Sequence, residues 1–214
     1  MRTEISLAVL VLITPASARA EDWLLSAENA ARAAVIPGEA APGKPQEAWL
    51  AFSPAARTFV CDLPSSGWHP VEEESPVGTV VRVFGPEDPS GLIRATLSVR
   101  LIDQDSPGFL TVKRGVDAMR APDKTTSRSA TPVRSLRVPA GLARIFEVTE
   151  TRRLPADEGP STPLELHHYV AVLPQGGQSY FVMRLMTARA DYLDFRDDFV
   201  RFLTSLRPLS AGGR

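Results

Sequence analysis

The chain has 214 residues, 43% of them hydrophobic and 23% charged, which is enough for one sizeable core and too apolar for a disordered chain. A net charge of -1 argues against a nucleic-acid binder, because neutralising a phosphate backbone takes a marked basic excess. A single cysteine, Cys61, excludes an internal disulfide framework and any cysteine-based zinc site.

Residues 1–20 read as an address. Ile5 to Ile13 is an apolar run broken only by Ser6, Pro15 ends it, and Ala18-Arg19-Ala20 fits the small-x-small rule of signal peptidase. Nine residues of helix span about 14 Å, well short of a bilayer core of about 30 Å. The expectation is a secretory signal peptide cleaved after Ala20, giving a periplasmic or extracellular protein. No later apolar run is long enough to span a membrane.

Residues 21–46 form an extension. EDWLLSAENAARAA, residues 21–34, suits a short helix with acids at its start and Trp23, Leu24, Ala27 and Ala31 on one side. Pro37, Gly38, Pro42, Gly43 and Pro45 then mark a linker.

The domain proper is expected over residues 47–208, with a disordered tail at 209–214. Residues 49–52, 58–63 and 79–84 are strand candidates, with a turn at Pro64-Ser-Ser-Gly67 after the second. Trp68-His69-Pro70 and Glu72-Glu73-Glu74 read as a loop, with Trp68 capping the core. Residues 93–101 alternate cleanly: Ile93, Ala95, Leu97, Val99 and Leu101 on one side, Arg94, Thr96, Ser98 and Arg100 on the other. That period of two predicts a strand with one dry face and one at least partly wet. Phe109, Val112, Val116 and Met119 follow helical spacing.

Strand character returns at 133–138 and 142–151, and again at 164–173 and 179–187, the last two joined by Pro174-Gln-Gly-Gly177. Tyr192, Phe195, Phe199, Phe202, Leu203 and Leu206 make one helical stripe, which Pro208 ends. Consecutive short strands with so few helices predict an α+β fold with a largely antiparallel sheet.

Phe59-Val-Cys-Asp-Leu-Pro64 followed by Gly67-Trp68 resembles the opening motif of the PsbP-like superfamily. Its members include PsbP, DcrB-type envelope proteins and a Ran-binding nuclear-import regulator. The order of the later elements is similar too, over about residues 47–208. The resemblance implies an α/β/α sandwich around an antiparallel sheet of about six strands, and a binding or accessory role with no catalytic motif to carry over.

Chemistry-bearing residues are sparse. G-x-S-x-G, S-x-x-K, H-E-x-x-H and glycine-rich phosphate loops are all missing, and Cys61 lies in an apolar run that suits a buried, inert thiol. Glu165 and His167 alternate along one strand and share a face, a weak two-ligand start for a metal site; the plainer reading leaves them solvated, with His168 at the core margin. Residues 113–144 carry Lys113, Arg114, Arg120, Lys124, Arg128, Arg134, Arg137 and Arg144 against Asp117 and Asp123. Within that stretch, Arg120, Lys124, Arg128, Arg134 and Arg137 are the candidates for docking an acidic protein or an anionic membrane surface, with 121–131 as a mobile loop; the plainer reading is a solvated basic edge offset by the acidic segment 61–105.

The function these observations imply is a secreted or periplasmic, non-catalytic accessory protein acting through contact with another envelope or secreted protein. The alternative is a small-ligand or metal-binding module, and an enzyme ranks third. No cofactor and no nucleic-acid partner is expected. Intact-mass analysis of the exported chain should find a product that starts at Glu21; a mass that still includes residues 1–20 would contradict the leader.

Overall fold

In the computed structural model the described residues are 48–74, 79–154 and 161–209. The leader and the 21–46 extension lie outside them. Four short strands come first: β1 (Trp49–Phe52), β2 (Phe59–Pro64), β3 (His69–Glu73) and β4 (Val80–Glu87). Then follow β5 (Arg94–Ile102), helix α1 (Val112–Arg120), β6 (Ser129–Ala130) and β7 (Arg134–Val138). The long strands β8 (Gly141–Leu154), β9 (Thr162–Pro174) and β10 (Tyr180–Ala188) lead into a 3₁₀ segment (Arg189–Phe195), helix α2 (Arg196–Ser205) and β11 (Arg207–Pro208).

Every described strand pairing is antiparallel, and the fold is α+β. The main sheet has eight strands in the order β3-β4-β5-β10-β9-β8-β6, with β7 also on β8, against the about six that the family resemblance implies. The two additional strands are short or polar. β6 has only two residues, and β3 carries Pro70 and two carboxylates, so neither shows an apolar alternation. What reads as a loop at His69–Glu73 is thus the edge of the sheet. A second sheet, β1-β2-β11, packs with α2 over one face.

Period-two alternation sorts the side chains onto two faces. Val81, Val83, Leu97, Val99, Ile145, Tyr169, Phe181 and Leu185 point to the α2 face, where Phe59, Phe199 and Phe202 close the larger core. Phe146, Val148, Val170, Val172, Tyr180 and Val182 point the other way and pack under Val116 and Met119 of α1. The partly wet face expected for β5 is wet only at Arg94, whose side chain is 40% exposed. Thr96, Ser98 and Arg100 are 3%, 6% and 2% exposed, as buried as the apolar set opposite.

Two glycines set close approaches. At Gly85 the β4 strand breaks register between Phe84 and Glu87, and a Cβ there would stand 2.9 Å from the Trp68 ring, which packs edge-on against Phe195 at 5.8 Å. Trp68 does close the core margin. At Gly115 a Cβ would stand 2.6 Å from the Tyr180 hydroxyl, which donates to the Leu110 carbonyl at 2.9 Å and so fixes the start of α1.

The single C-terminal helix suggested by the aromatic stripe is two pieces. The 3₁₀ winding of its first seven residues turns Tyr192 onto His167 and Phe195 onto Trp68, contacts that a continuous α-helix would place differently. Leu209, assigned to the tail, is tied down by a backbone bond to Thr58.

Gly115→Ala should destabilise the fold by about 1–3 kcal/mol through this clash, although alanine favours a helix interior by about 1 kcal/mol. In the Tyr180→Phe background, where the hydroxyl is gone, the same substitution should cost distinctly less. Urea midpoints of the four proteins test it; additive effects would contradict the contact.

Candidate functional site

Three groups of polar residues come together on this scaffold, two buried and one exposed. The first is an ion-pair cluster on the α1 face, where register brings β8, β9 and β10 side by side. Glu150, His168 and Arg184 project into it from these strands, Arg152 from the end of β8, and Arg128 from the segment after α1. Glu150 accepts from Arg152 Nε at 2.8 Å, with Arg128 Nε at 3.8 Å and His168 Nε2 at 3.4 Å. A crevice of about 260 Å³, counting the part open to solvent, lies between Met119, Arg128, Val148, Glu150, His168 and Arg184.

Burial alone would push the Glu150 carboxyl up, but His168 and the two arginines outweigh it and hold it near 2. Burial lowers His168 to about 4 despite Glu150, so the imidazole is neutral at neutral pH. Burial also lowers Arg184 to about 10, which leaves it charged. The cluster therefore carries fixed charge in a nearly dry place. Such an arrangement gives hydrogen-bonding specificity, since a buried charge is tolerated only with its partners in place.

The second group lies on the α2 face. His167 is buried and stacks on Tyr192, ring centroids 4.2 Å apart at 7°, with Nε2 3.6 Å from Glu147 Oε2. Burial lowers it to about 4 as well. Glu165, two residues away, sits at the exposed end of the strand and pairs with Arg189. The shared face expected for Glu165 and His167 exists, but the two do not converge: one is salt-bridged at the rim, the other covered by Tyr192. Among the described residues no group of three or more His, Cys, Asp or Glu could hold a metal ion. Cys61 is buried, and burial raises its thiol to about 12.

The third group is basic and exposed, and it differs from the set expected. Arg128 is turned inward: its guanidinium donates to the Met119 carbonyl at 2.9 Å and faces Glu150. Arg120 is half-buried and donates to the Thr131 carbonyl at 3.2 Å. Arg134 pairs with Glu147 at 3.1 Å. Lys124 is exposed in the turn that an Asp123–Arg128 bridge closes, and Arg137 is exposed on β7. The mobile loop expected at 121–131 is pinned. Backbone bonds join Arg128 to Asp123, Thr151 to Thr126 and Thr131 to Glu147, and β6 pairs with β8.

In their place the fold exposes Lys113, Arg114 and Arg144, counted in the sequence but not singled out there. Ser135 faces Arg144 and Arg137 faces Leu142 across the β7–β8 ladder, so Arg137, Leu142 and Arg144 share the α1 face. Lys113 and Asp117 bond at 2.8 Å on the exposed side of α1. The Asp117 carboxyl is lowered first by that bond and also by the charges of Arg120 and Arg144.

No protein-family model matches the chain, and no curated protein matches it. Among solved structures it is similar to cyanobacterial PsbP (CyanoP) from Synechocystis sp. PCC 6803. The identity is 12%, the match covers 80% of this chain and 98% of that one, and the TM-score is 0.43. A likeness of that size says nothing about what this chain binds. The α+β assignment stands on the described strands and helices themselves.

The buried histidines make stability depend on pH in a definite direction. Both folded values lie near 4 and the ordinary value is 6.5, so below 6.5 the unfolded chain takes up protons that the folded chain refuses. Stability is therefore complete above about pH 6.5 and falls as pH drops towards 4; Glu150, near 2 against an ordinary 4.5, extends the loss to lower pH. His167→Phe keeps the stack on Tyr192 and removes one of these protons. At about 1.4 kcal/mol per pKa unit it should reduce the loss between pH 7 and 4.5 by about 2 kcal/mol. Urea midpoints at the two pH values measure this, and an unchanged difference would contradict it.

Proposed function

We propose that the chain is an exported, non-catalytic binding protein whose contact surface is the outer side of α1 together with the β7–β8 hairpin, and whose partner is an acidic protein surface. The observation that carries this reading is a group of exposed basic side chains on these elements: Arg137 and Arg144 beside Leu142, itself 52% exposed, on one face of the hairpin, and Lys113 and Arg114 on α1, with Asp117 paired to Lys113. An apolar centre with a charged rim is the usual anatomy of a contact surface, and an excess of one sign on the rim speeds encounter with an oppositely charged partner.

The sheet edges support contact through side chains rather than strand addition. β7 lies between Pro132 and Pro139 and carries two arginines; β3 carries Pro70 and a row of acids. Proline and charge on an edge both discourage pairing with another chain. The leader-like residues 1–20 support placing that contact outside the cytoplasm.

Reversing Lys113, Arg137 and Arg144 to Glu should reduce capture of the partner from the native host's envelope fraction at least about tenfold, and capture by the parent chain should weaken steeply with salt. Arg153→Glu, on an exposed residue at the far end of β8, should change neither. Capture that survives the triple reversal would sink the assignment of this surface.

A further inference from the structure

The second sheet has a strand edge of a different kind from the guarded edges of the main sheet. Proline and charge protect β3 and β7, and the opposite side of the second sheet ends in Arg207-Pro208 of β11. β1 has the sequence Trp49-Leu-Ala-Phe52, without charge or proline, and among the described strands it pairs with β2 alone. Leu50 is 61% exposed, more than any other large apolar side chain among the described residues, and Ala48 and Ala51 are exposed beside it.

The hydrogen bonds that β1 and β2 make show which backbone groups of β1 face outward. Trp49 lies opposite Pro64 and Phe52 opposite Cys61, and the Ser65 amide donates to the Ala48 carbonyl at 2.8 Å. Antiparallel ladders alternate, so Leu50 and Phe52 turn their amides and carbonyls to β2, while Trp49 and Ala51 turn theirs away. β2 obeys the same alternation. The Asp62 amide, across from Ala51, donates to Ser205 Oγ at 2.8 Å and not to β1, and Pro64, across from Trp49, has no amide to give. Trp49 and Ala51 therefore present donors and acceptors along an exposed apolar edge. The Arg201 guanidinium lies 4.5 Å from the centre of the Trp49 ring, so a strand that pairs there meets a fixed template.

The order of large and small side chains decides what suits this edge. Two antiparallel copies of β1 related by a two-fold axis keep their faces, so residues 48, 50 and 52 meet one another, as do 49 and 51. With the axis at Leu50, Trp49 stands opposite Ala51 of the other copy and Phe52 opposite Ala48. A large side chain meets a small one each time, and Leu50 meets its own counterpart. The same register sets outward residue against outward residue, so hydrogen-bonded pairs flank the two leucines on both sides. The strand is complementary to itself.

We propose that β1 is a self-association edge. A second copy of the chain adds its own β1 antiparallel about a two-fold axis at Leu50, which joins two three-stranded sheets into one. The edge lies on the second sheet and does not depend on the basic contact face of α1 and the β7–β8 hairpin.

Sedimentation velocity of the purified exported chain over a concentration series is the test, and the parent chain should dimerise reversibly. Leu50→Lys and Leu50→Glu each set like charges face to face on the axis. Each should weaken dimerisation at least about tenfold, and an equimolar mixture of the two should restore it. Ala51→Pro removes an outward amide that β2 does not use. It should weaken dimerisation to a similar degree while the urea midpoint stays close to the parent's. A parent chain that remains monomeric overturns the proposal. Dimerisation that survives the Leu50 variants or Ala51→Pro overturns the assignment to β1. Loss in both Leu50 variants without rescue in the mixture overturns the two-fold register at Leu50.

Discussion

The constraint on which the rest of this structure depends is the burial of charge on a sheet face. Glu150 is almost removed from water, yet it stays ionised because a guanidinium at 2.8 Å, a second at 3.8 Å and an imidazole at 3.4 Å surround it. Removing one member of such a set leaves an uncompensated charge in a dry place, at a cost of about 3–5 kcal/mol. The arrangement therefore demands an exact register of β8 against β9 and β10, and it demands that the segment after α1 deliver Arg128. A one-residue slip would send Glu150 and His168 to the opposite face, among the aromatic side chains of the larger core.

That demand explains why a polar stretch that reads as a docking loop is a structural strap. Arg128 reaches inward, and the backbone around it is fixed to β8 by Thr131 and Thr151. The exposed positive charge lies instead on α1 and the β7–β8 hairpin, at Lys113, Arg114, Arg137 and Arg144. On the hairpin Arg137 and Arg144 flank the exposed Leu142, and on α1 Lys113 pairs with Asp117. Structural and surface arginines are thus interleaved in sequence and separated in space.

The two faces of the main sheet do different work. The α2 face is an aromatic core: Tyr169 packs edge-on to Phe199 at 5.1 Å, and Phe59 to Phe181 at 5.8 Å, geometries that favour the offset ring quadrupoles. The α1 face is divided between an apolar half under Val116 and Met119 and a polar half built from arginine, threonine and serine. On the polar half buried charges must keep their partners, while the apolar half and the α2 face gain from removing hydrocarbon from water.

From the amino-acid order alone came the α+β class, most of the long strands, the mid-chain helix, the closing aromatic helix, and the buried position of Cys61. These follow from local periodicity, which nearest neighbours along the chain impose. Strand β3 and the 3₁₀ segment were not legible, because pairing with β4 and contacts to Trp68 and His167 make them, not propensity. Nor could Arg128 be told from Arg137, or Arg100 from Arg94, by composition: the residues are identical, and only the neighbours differ. Which arginine is in water and which beside Glu150 is set by the cross-strand register and by what packs above each face, and those are decided only when distant parts of the chain meet.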